Sequence, residues 1–246
     1  MPPPRFIVER LPASGERVRL PAEEEVHARS RRLASGDEVL LIDGTGARAE
    51  GRIAEAARGE FHINVTGIRP ADDPGPAIRL AVAGVRPERM SWTAEKAAEL
   101  GVSRLTLVRT DRTQSFRAGP SALARLERLV REAAKQSGAD RWPLCEGPVD
   151  LAEALDAADG VRLFLDASGE AFPPSLEGPV SLLVGPEGGW SEAERASASR
   201  AGWRAVALPA ATLRAETAAV AAVVLTRAAL AREPSKEDGA SGAAGH

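Results

Sequence analysis

A single cysteine, Cys145, occurs in the 246 residues. That excludes a disulfide framework and any zinc site built from several cysteines, and it points to a reducing, cytoplasmic compartment. Lysine is almost as scarce. Lys96, Lys135 and Lys236 are the only three among 32 basic residues, so 29 are Arg. The planar fork of Arg binds phosphate bidentately and stacks on bases, although thermal adaptation or GC-rich coding explains an Arg excess as well. Asparagine is reduced to Asn64 and glutamine to Gln114 and Gln136, which fits thermal adaptation. Long apolar runs are missing too. The most apolar stretch, Thr217 to Thr226, has about half of the roughly 20 residues a membrane span needs. The Pro-rich, charged start MPPPRFIVER has no signal-peptide core. A soluble, intracellular chain is expected. His27 and His62 lack metal-ligand spacing, so no metal is expected.

What is present is ordinary globular composition, 43% hydrophobic and 27% charged. The length suits one large domain or two modest ones. The net charge of −3 discourages a nucleic-acid partner, but its distribution does not. From Arg104 to Arg141, nine basic residues face four acidic ones, leaving +5. From Trp142 to Ala196, eleven acids face two Arg, leaving −9. A basic stretch hidden in a near-neutral sum is the pattern of an electrostatic footprint, or of a solvated face.

The first seventy residues read as short strands at Phe6–Val8, Val18–Leu20, Asp37–Asp43, Ala47–Ala57 and Phe61–Thr66, with a turn at Asp43-Gly44-Thr45-Gly46. A helix fits Ala22–Leu33, with Pro21 at its start and Glu23, Glu24 and Glu25 complementing its dipole. Together they suggest a small barrel or sandwich. The cluster Arg69-Pro70-Ala71-Asp72-Asp73-Pro74-Gly75-Pro76 reads as a linker. Beyond it strands and helices alternate. Strands fit Ala77–Ala83, Arg104–Val108, Val161–Asp166, Val180–Val184 and Arg204–Leu208. Helices fit Glu88–Leu100 closed by Gly101, a segment capped by Ser121, Leu151–Ala157, Ser191–Ala201 and Glu216–Ala231. In the Ser121 helix, Leu123, Leu126, Val130 and Ala134 make a buried face and leave Arg125, Arg128, Arg131 and Lys135 to the rest of the surface. Such alternation predicts a mostly parallel sheet covered on both faces. The polar tail from Glu233 to His246 is expected to be disordered.

Two strand-to-helix junctions carry the chemistry. Gly185-Pro186-Glu187-Gly188-Gly189 follows an apolar strand and precedes the capping box Ser191-Glu192-Ala193-Glu194. Glycines there let backbone amides approach a ligand at the carboxyl edge of a sheet, or simply form a tight turn. No Walker or Gly-x-Gly-x-x-Gly pattern is present, so nothing asks for a nucleoside triphosphate or a nicotinamide. The second junction, Leu208-Pro209-Ala210-Ala211-Thr212-Leu213-Arg214-Ala215-Glu216-Thr217-Ala218, puts Arg214 at a helix mouth. The alternative there is an Arg214–Glu216 surface pair.

At these junctions the chain resembles the RsmE family of ribosomal RNA small-subunit uridine-N3 methyltransferases, of the SPOUT class. The motifs are GPEGG-W-S-x-x-E and, about twenty residues on, L-x-x-x-x-L-R-x-E-T-A. Others follow in order through nearly the whole chain. They are Arg5-Phe6-Ile7-Val8, His27 and Arg32, Gly36-Asp37, Asp43-Gly44-Thr45-Gly46, Lys96-Ala97-Ala98-Glu99-Leu100-Gly101-Val102, Arg112-Thr113-Gln114-Ser115, and Glu132 to Gly138 with Arg141-Trp142-Pro143. Pro209 and Ala211 stand where the family has Gly and Arg, and Ala139 where it often has Arg.

The resemblance implies an α/β protein: a PUA-like β-barrel over residues 1–69, a linker over 70–76, a SPOUT domain with a deep trefoil knot over 77–232, and the tail 233–246. It implies S-adenosylmethionine as cofactor, held by Leu165, Gly185, Pro186, Glu187, Gly188, Gly189, Leu208, Pro209, Thr212 and Leu213. The implied partners are small-subunit (16S) ribosomal RNA or the assembled 30S subunit, and a second copy in a homodimer, with no membrane. Uracil N3 lies on the Watson–Crick edge, so the target base must be unpaired or flipped. Loss of its proton spreads charge over O2 and O4, where Arg donors stabilise it. Arg214 and then Arg112 are the catalytic candidates, with Glu216 either orienting an Arg or acting as base. Arg29, Arg31, Arg32, Arg112, Arg117 and Arg141 are the candidates for gripping RNA. The alternatives are a SPOUT methyltransferase acting on another RNA position, or a non-catalytic RNA-binding assembly factor.

Overall fold

A computed structural model describes residues 2–57, 59–113, 119–210 and 212–231. Arg117, the Gln114-Ser115 pair and the expected tail 233–246 lie outside the described residues. The chain divides into two compact units, Met1–Gly75 with Met90–Leu105 and Arg117–Glu146, and Pro76–Arg89 with Thr106–Phe116 and Gly147–His246.

The first unit is built on a five-stranded sheet. Strands β1 (Arg5–Ile7), β2 (Arg17–Arg19), β3 (Glu38–Ile42), β4 (Arg48–Ala57) and β5 (Glu60–Arg69) run in the order β1-β3-β4-β5-β2. β1 pairs with β3 in parallel and the other neighbours are antiparallel. Alternation along β3 and β5 turns Val39, Leu41, Phe61, Ile63 and Val65 inward onto Phe6 and Leu20. Residues 70–77 form neither helix nor strand, as the Pro/Gly/Asp composition predicts. Helix α1 (Ala22–Ser30) is shorter than expected. It ends because Arg32 takes a left-handed conformation, φ 56°, and the Leu33 amide returns to the Ala28 carbonyl at 3.2 Å. Glycine is the usual residue at such a position.

Two expectations for this unit need correction. The helix α3 (Pro120–Ser137) is capped by Gly119, without a side-chain hydrogen bond, and not by Ser121. Pro120 occupies the first helical position, where its missing N–H costs nothing. Lys135 is buried instead of facing solvent: Nζ lies 3.0 Å from Glu24 Oε1 and 3.3 Å from Glu132 Oε2. Glu24 and Glu25 are themselves buried, so the acids of α1 are partners in ion pairs and not only dipole complements. Arg19 holds the Glu25 carboxyl below its usual range. The expected burial of Leu126, Val130 and Ala134 is observed. The Asp43–Gly46 turn is fixed by Asp43 Oδ1, which accepts from the Thr45 amide at 3.1 Å and hydroxyl at 2.7 Å. Trp142 covers Gly44 so closely that no side chain fits there. Cys145 is buried, and burial pushes its thiol up to about 12. It packs as a small apolar residue.

The second sheet has six strands: β6 (Ile78–Ala83), β7 (Arg104–Arg109), β8 (Leu144–Asp150), β9 (Val161–Ala171), β10 (Val180–Val184) and β11 (Arg204–Ala207), in the order β11-β9-β10-β6-β7-β8. β10 is parallel to β6 and β9, and β11 is parallel to β9. Every residue of β10 is buried, as a run of apolar residues in a sheet covered on both faces requires. Helices α2 (Pro87–Glu99), α4 (Leu151–Asp156), α5 (Glu192–Arg200) and α6 (Ala215–Leu230) complete the fold, with α6 packed on β6 and β10. Among the described residues no helix is long and apolar enough to cross a membrane.

β8 has no counterpart in the sequence reading, because Gly147 and Pro148 interrupt its apolar pattern. β9 runs five residues past the expected end at Asp166. Its pairing with β11 jumps between Phe164 opposite Ala205 and Glu170 opposite Val206, so the residues between them leave the β9–β11 ladder. Gly169 permits the rejoining: a Cβ there would lie 2.6 Å from the Ala205 carbonyl carbon and the Val206 nitrogen.

Candidate active site

The carboxyl ends of β9, β10 and β11 meet at a cavity of about 290 Å³. This edge is where open α/β sheets place their ligands. The segment that β9 sets aside from the ladder supplies the first wall, Leu165, Asp166 and Ala167. The loop after β10 supplies the second, including Gly185, Pro186, Glu187 and Gly189. Leu208, Thr212 and Leu213, with Ala215 and Ala218 of α6, supply the third. Eight of the ten residues expected to hold a cofactor therefore line one space. The other two do not. Gly188 turns toward Arg112, and Pro209 lines a neighbouring apolar cleft with Phe172, Pro173 and Leu225.

Trp190 joins the first two walls. Its Nε1 donates to the Leu165 carbonyl at 2.8 Å, and its ring lies where a Cβ on Gly185 would have to go, 2.7 Å from Cε2. Glycine at position 185 is thus a requirement of this indole. Asp166 is buried in the first wall. Its Oδ1 accepts from the Ser168 amide at 2.9 Å and hydroxyl at 2.7 Å, and its Oδ2 from Arg195 Nε at 2.6 Å. Burial opposes ionisation of this carboxyl, but the hydrogen bonds from Ser168 and Arg195 outweigh it and hold the group below the usual range. The lining combines apolar side chains (Leu165, Val184, Val206, Leu208, Leu213) with the carboxylates Asp166 and Glu187 and the guanidinium of Arg195.

The capping box after the loop is formed as its sequence predicts, with Ser191 Oγ accepting from the Glu194 amide at 3.2 Å and Glu194 Oε2 from the Ser191 amide at 2.7 Å. The same Glu194 accepts from the Asp111 amide at 2.8 Å, and Ser191 Oγ donates to Asp111 Oδ2 at 2.8 Å. These bonds bring the loop after β7 to the glycine loop. There Arg112 Nη1 donates to the Gly188 carbonyl at 2.7 Å. Sequence spacing gave no sign of that contact.

Arg214 is exposed at the N-cap of α6. It does not pair with Glu216. The Glu216 carboxylate, 12% exposed, lies with Oε1 3.5 Å from Arg89 Nε, and Arg89 also pairs with Glu187. Glu216 Oε2 is buried and has no hydrogen-bond partner among the described residues. Of the residues expected to grip RNA, Arg29, Arg31 and Arg32 are exposed around the end of α1 in the first unit. Arg141, in that unit too, packs its guanidinium on Gly46 and donates to the Asp72 carbonyl at 3.2 Å. Asp140 likewise engages Arg5 and Arg48, at 3.2 and 2.7 Å. Part of the basic excess of residues 104–141 is neutralised by acids outside that stretch, through the pairs Arg104–Glu146, Arg109–Asp150 and Lys135–Glu24.

The sequence reading missed Arg89, Asp166, Trp190 and Arg195. Trp190 and Arg195 flank the glycine loop and the cap, so proximity was the available signal. Nothing local marks Arg89, whose partners are far along the chain.

A protein-family model described as an RNA methyltransferase domain matches residues 73–227. The ribosomal RNA small subunit methyltransferase E of Mycobacterium bovis is 28% identical over 232 residues, covering 89% of this chain and 88% of that protein. The crystal structure of a ribosomal RNA small subunit methyltransferase E from Neisseria gonorrhoeae, bound to S-adenosyl methionine, superposes with a TM-score of 0.82 at 28% identity, covering 90% of this chain and 95% of that one. A methyltransferase from Legionella pneumophila in complex with the same cofactor gives 0.81 at 26% identity, covering 92% and 97%. The family match takes in all three walls of the cavity, Arg89, Arg112 and Glu216, and the chain belongs to the RNA methyltransferase domain family.

Proposed function

We propose that this chain is an S-adenosylmethionine-dependent methyltransferase acting on N3 of a uridine in small-subunit (16S) ribosomal RNA. The observation that carries the reading is the convergence of three strand-end segments on one cavity, with Arg112 brought to the glycine loop from a distant part of the chain and Glu216 in the first turn of α6. The likeness to the small-subunit methyltransferases of Mycobacterium bovis and Neisseria gonorrhoeae supports the substrate class.

The lining suits this cofactor. Apolar side chains fit an adenine ring, the carboxylates of Asp166 and Glu187 favour the cationic sulfonium and ammonium groups, and Arg195 offers donors to a carboxylate. Gly189, where an added Cβ would meet only Arg112 Nη1 at 4.0 Å, would let the backbone approach it closely, and Thr212 offers a hydroxyl. When bound, S-adenosylmethionine supplies the methyl group as an electrophilic carbon. The chain's own residues do the rest. Glu216 either orients an Arg, as its Oε1 beside Arg89 suits, or accepts the imide proton of the flipped base. Arg214 and Arg112 stabilise the charge that spreads over O2 and O4. Arg29, Arg31, Arg32 and Arg117 grip phosphates, which makes affinity fall with salt.

The finer architecture belongs to the same proposal: a PUA-like barrel over residues 1–69, a knotted SPOUT domain over 77–232, and a cytoplasmic homodimer. Val224 of α6 is 46% exposed, and Leu225 and Ala228 of the same helix line an apolar cleft with Phe172 and Pro174, which supports a contact between copies. The test is transfer of radiolabelled methyl groups to isolated small subunits and to free ribosomal RNA, followed by mass mapping of the product. One new methyl on a uridine is expected. Tight RNA binding without transfer, in protein that binds no S-adenosylmethionine by equilibrium dialysis, would instead mark an assembly factor.

A further inference from the structure

Arg89 has no part in the motifs that identify the cavity, yet it touches two of the elements that build the site. It lies in the first turn of α2, just beyond the carboxyl end of β6. β6 is parallel to β10, with Val82 opposite Val184, so the chain leaving β6 and the glycine loop leaving β10 emerge side by side. α6 packs on the same two strands and brings its first turn to the same edge. The result is one guanidinium between two carboxylates. Glu187, in the second wall of the cavity, pairs with Nη1. Glu216, in the first turn of α6, has Oε1 3.5 Å from Nε.

We propose that Arg89 is a positioning residue for the reaction: through one guanidinium it ties the glycine loop to α6, and so couples the cofactor wall to the Glu216 carboxylate. The inference rests on the function proposed above. A guanidinium presents its donors in a fixed fork, so two acceptors held by it are fixed relative to one another. The exposures fit this division of labour. Glu187 is 53% exposed and would swing freely without the clamp, whereas Glu216 is 12% exposed and Arg89 24%. An unsatisfied carboxylate oxygen in a buried setting is costly. Glu216 bears that cost at Oε2 while Arg89 balances its charge at Oε1. A lysine at position 89, with its compact point charge, could satisfy one carboxylate well but not both at the present spacing.

The test is a double-mutant cycle on the full-length protein, read by calorimetric S-adenosylmethionine affinity, by single-turnover methyl transfer at saturating cofactor, and by amide hydrogen exchange of residues 185–189 without ligand. Arg89→Ala should weaken cofactor binding by about tenfold, slow transfer by at least that much, and speed exchange in the loop. Glu187→Gln should reproduce the affinity loss, and Glu216→Gln the loss of saturated rate. Combining Arg89→Ala with Glu187→Gln should add no further affinity loss. Arg89→Lys should recover part of one effect and not both, and it also serves if the alanine variant does not fold. Overturning results would be wild-type affinity and loop exchange in a folded Arg89→Ala protein, or fully additive losses in the double variant. If wild-type protein binds no S-adenosylmethionine but Arg89→Ala still speeds loop exchange, the clamp stands and the assigned reaction fails.

Discussion

Replacing Arg32 by glycine should strengthen the fold and weaken the grip on RNA. Arg32 sits just past α1 with φ 56°, the left-handed region, and is the one described residue other than glycine with positive φ. A residue with a Cβ is disfavoured there by roughly 1–2 kcal/mol. Glycine removes that strain but returns about 0.5–1 kcal/mol through the larger entropy of the unfolded chain. The net expectation is a gain of about 0.5–1 kcal/mol, or roughly 1–4 °C in melting temperature for a chain this size. Arg31 is the control. It has φ −83° and ψ −2° at the helix cap, so Arg31→Gly relieves nothing and should destabilise by about 0.5 kcal/mol. If Arg32 is held in strain because its guanidinium meets phosphate, Arg32→Gly should also reduce the slope of log affinity against log salt by about 0.7–0.9. Urea unfolding and filter binding to a small-subunit RNA fragment over a salt series measure both effects. A glycine variant that is less stable than wild type refutes the strain argument, and an unchanged salt slope refutes the phosphate contact.

Three further outcomes follow from the packing. Gly185→Ala places a methyl 2.7 Å from Trp190 Cε2, so it should cost about 1–3 kcal/mol and lower S-adenosylmethionine affinity, measured by thermal melts and calorimetry. Lys135→Met leaves Glu24 buried without its cation and should destabilise by about 3–5 kcal/mol, most of it recovered in the Lys135→Met, Glu24→Leu pair. Burial, and after it the nearby Lys135, lower the affinity of His27 for a proton. The unfolded chain then binds more protons than the folded one below about pH 6.5, and stability falls as pH drops through that window. His27→Gln should flatten this part of a plot of urea midpoint against pH, and an unchanged slope would place the dependence elsewhere.

Local chemistry made much of the architecture legible. The burial of β10, the Ser191 capping box, the Asp43–Gly46 turn and the closure of α2 at Gly101 are each specified by adjacent residues, and each is found. The residues of the two junction motifs were legible as well, because glycines at a strand end carry a backbone signature. What stayed hidden depends on partners distant in sequence. Lys135 looks like one more cation on an amphipathic helix until Glu24 is packed against it. Glu216 looks like the natural partner of Arg214, its neighbour at a helix mouth, until α2 delivers Arg89. The extension of β9 past Asp166 was illegible for another reason. A segment that leaves one ladder and rejoins it has the composition of a loop, and only Gly169 betrays the close backbone approach that resumes the pairing.

That interrupted pairing also bears on how a ligand enters and leaves. A wall anchored in a sheet at both ends, before Leu165 and after Gly169, cannot swing outward without breaking strand pairing. The second wall is pinned by the Trp190 indole and the Ser191 cap. Between Leu208 and Arg214, by contrast, the described backbone has a single short bond of its own, from the Ala210 amide to the Leu208 carbonyl. Ligand exchange is therefore expected to depend on the β11–α6 segment, and a Pro209→Ala variant, free of the fixed φ of proline, should change the residence time of the ligand.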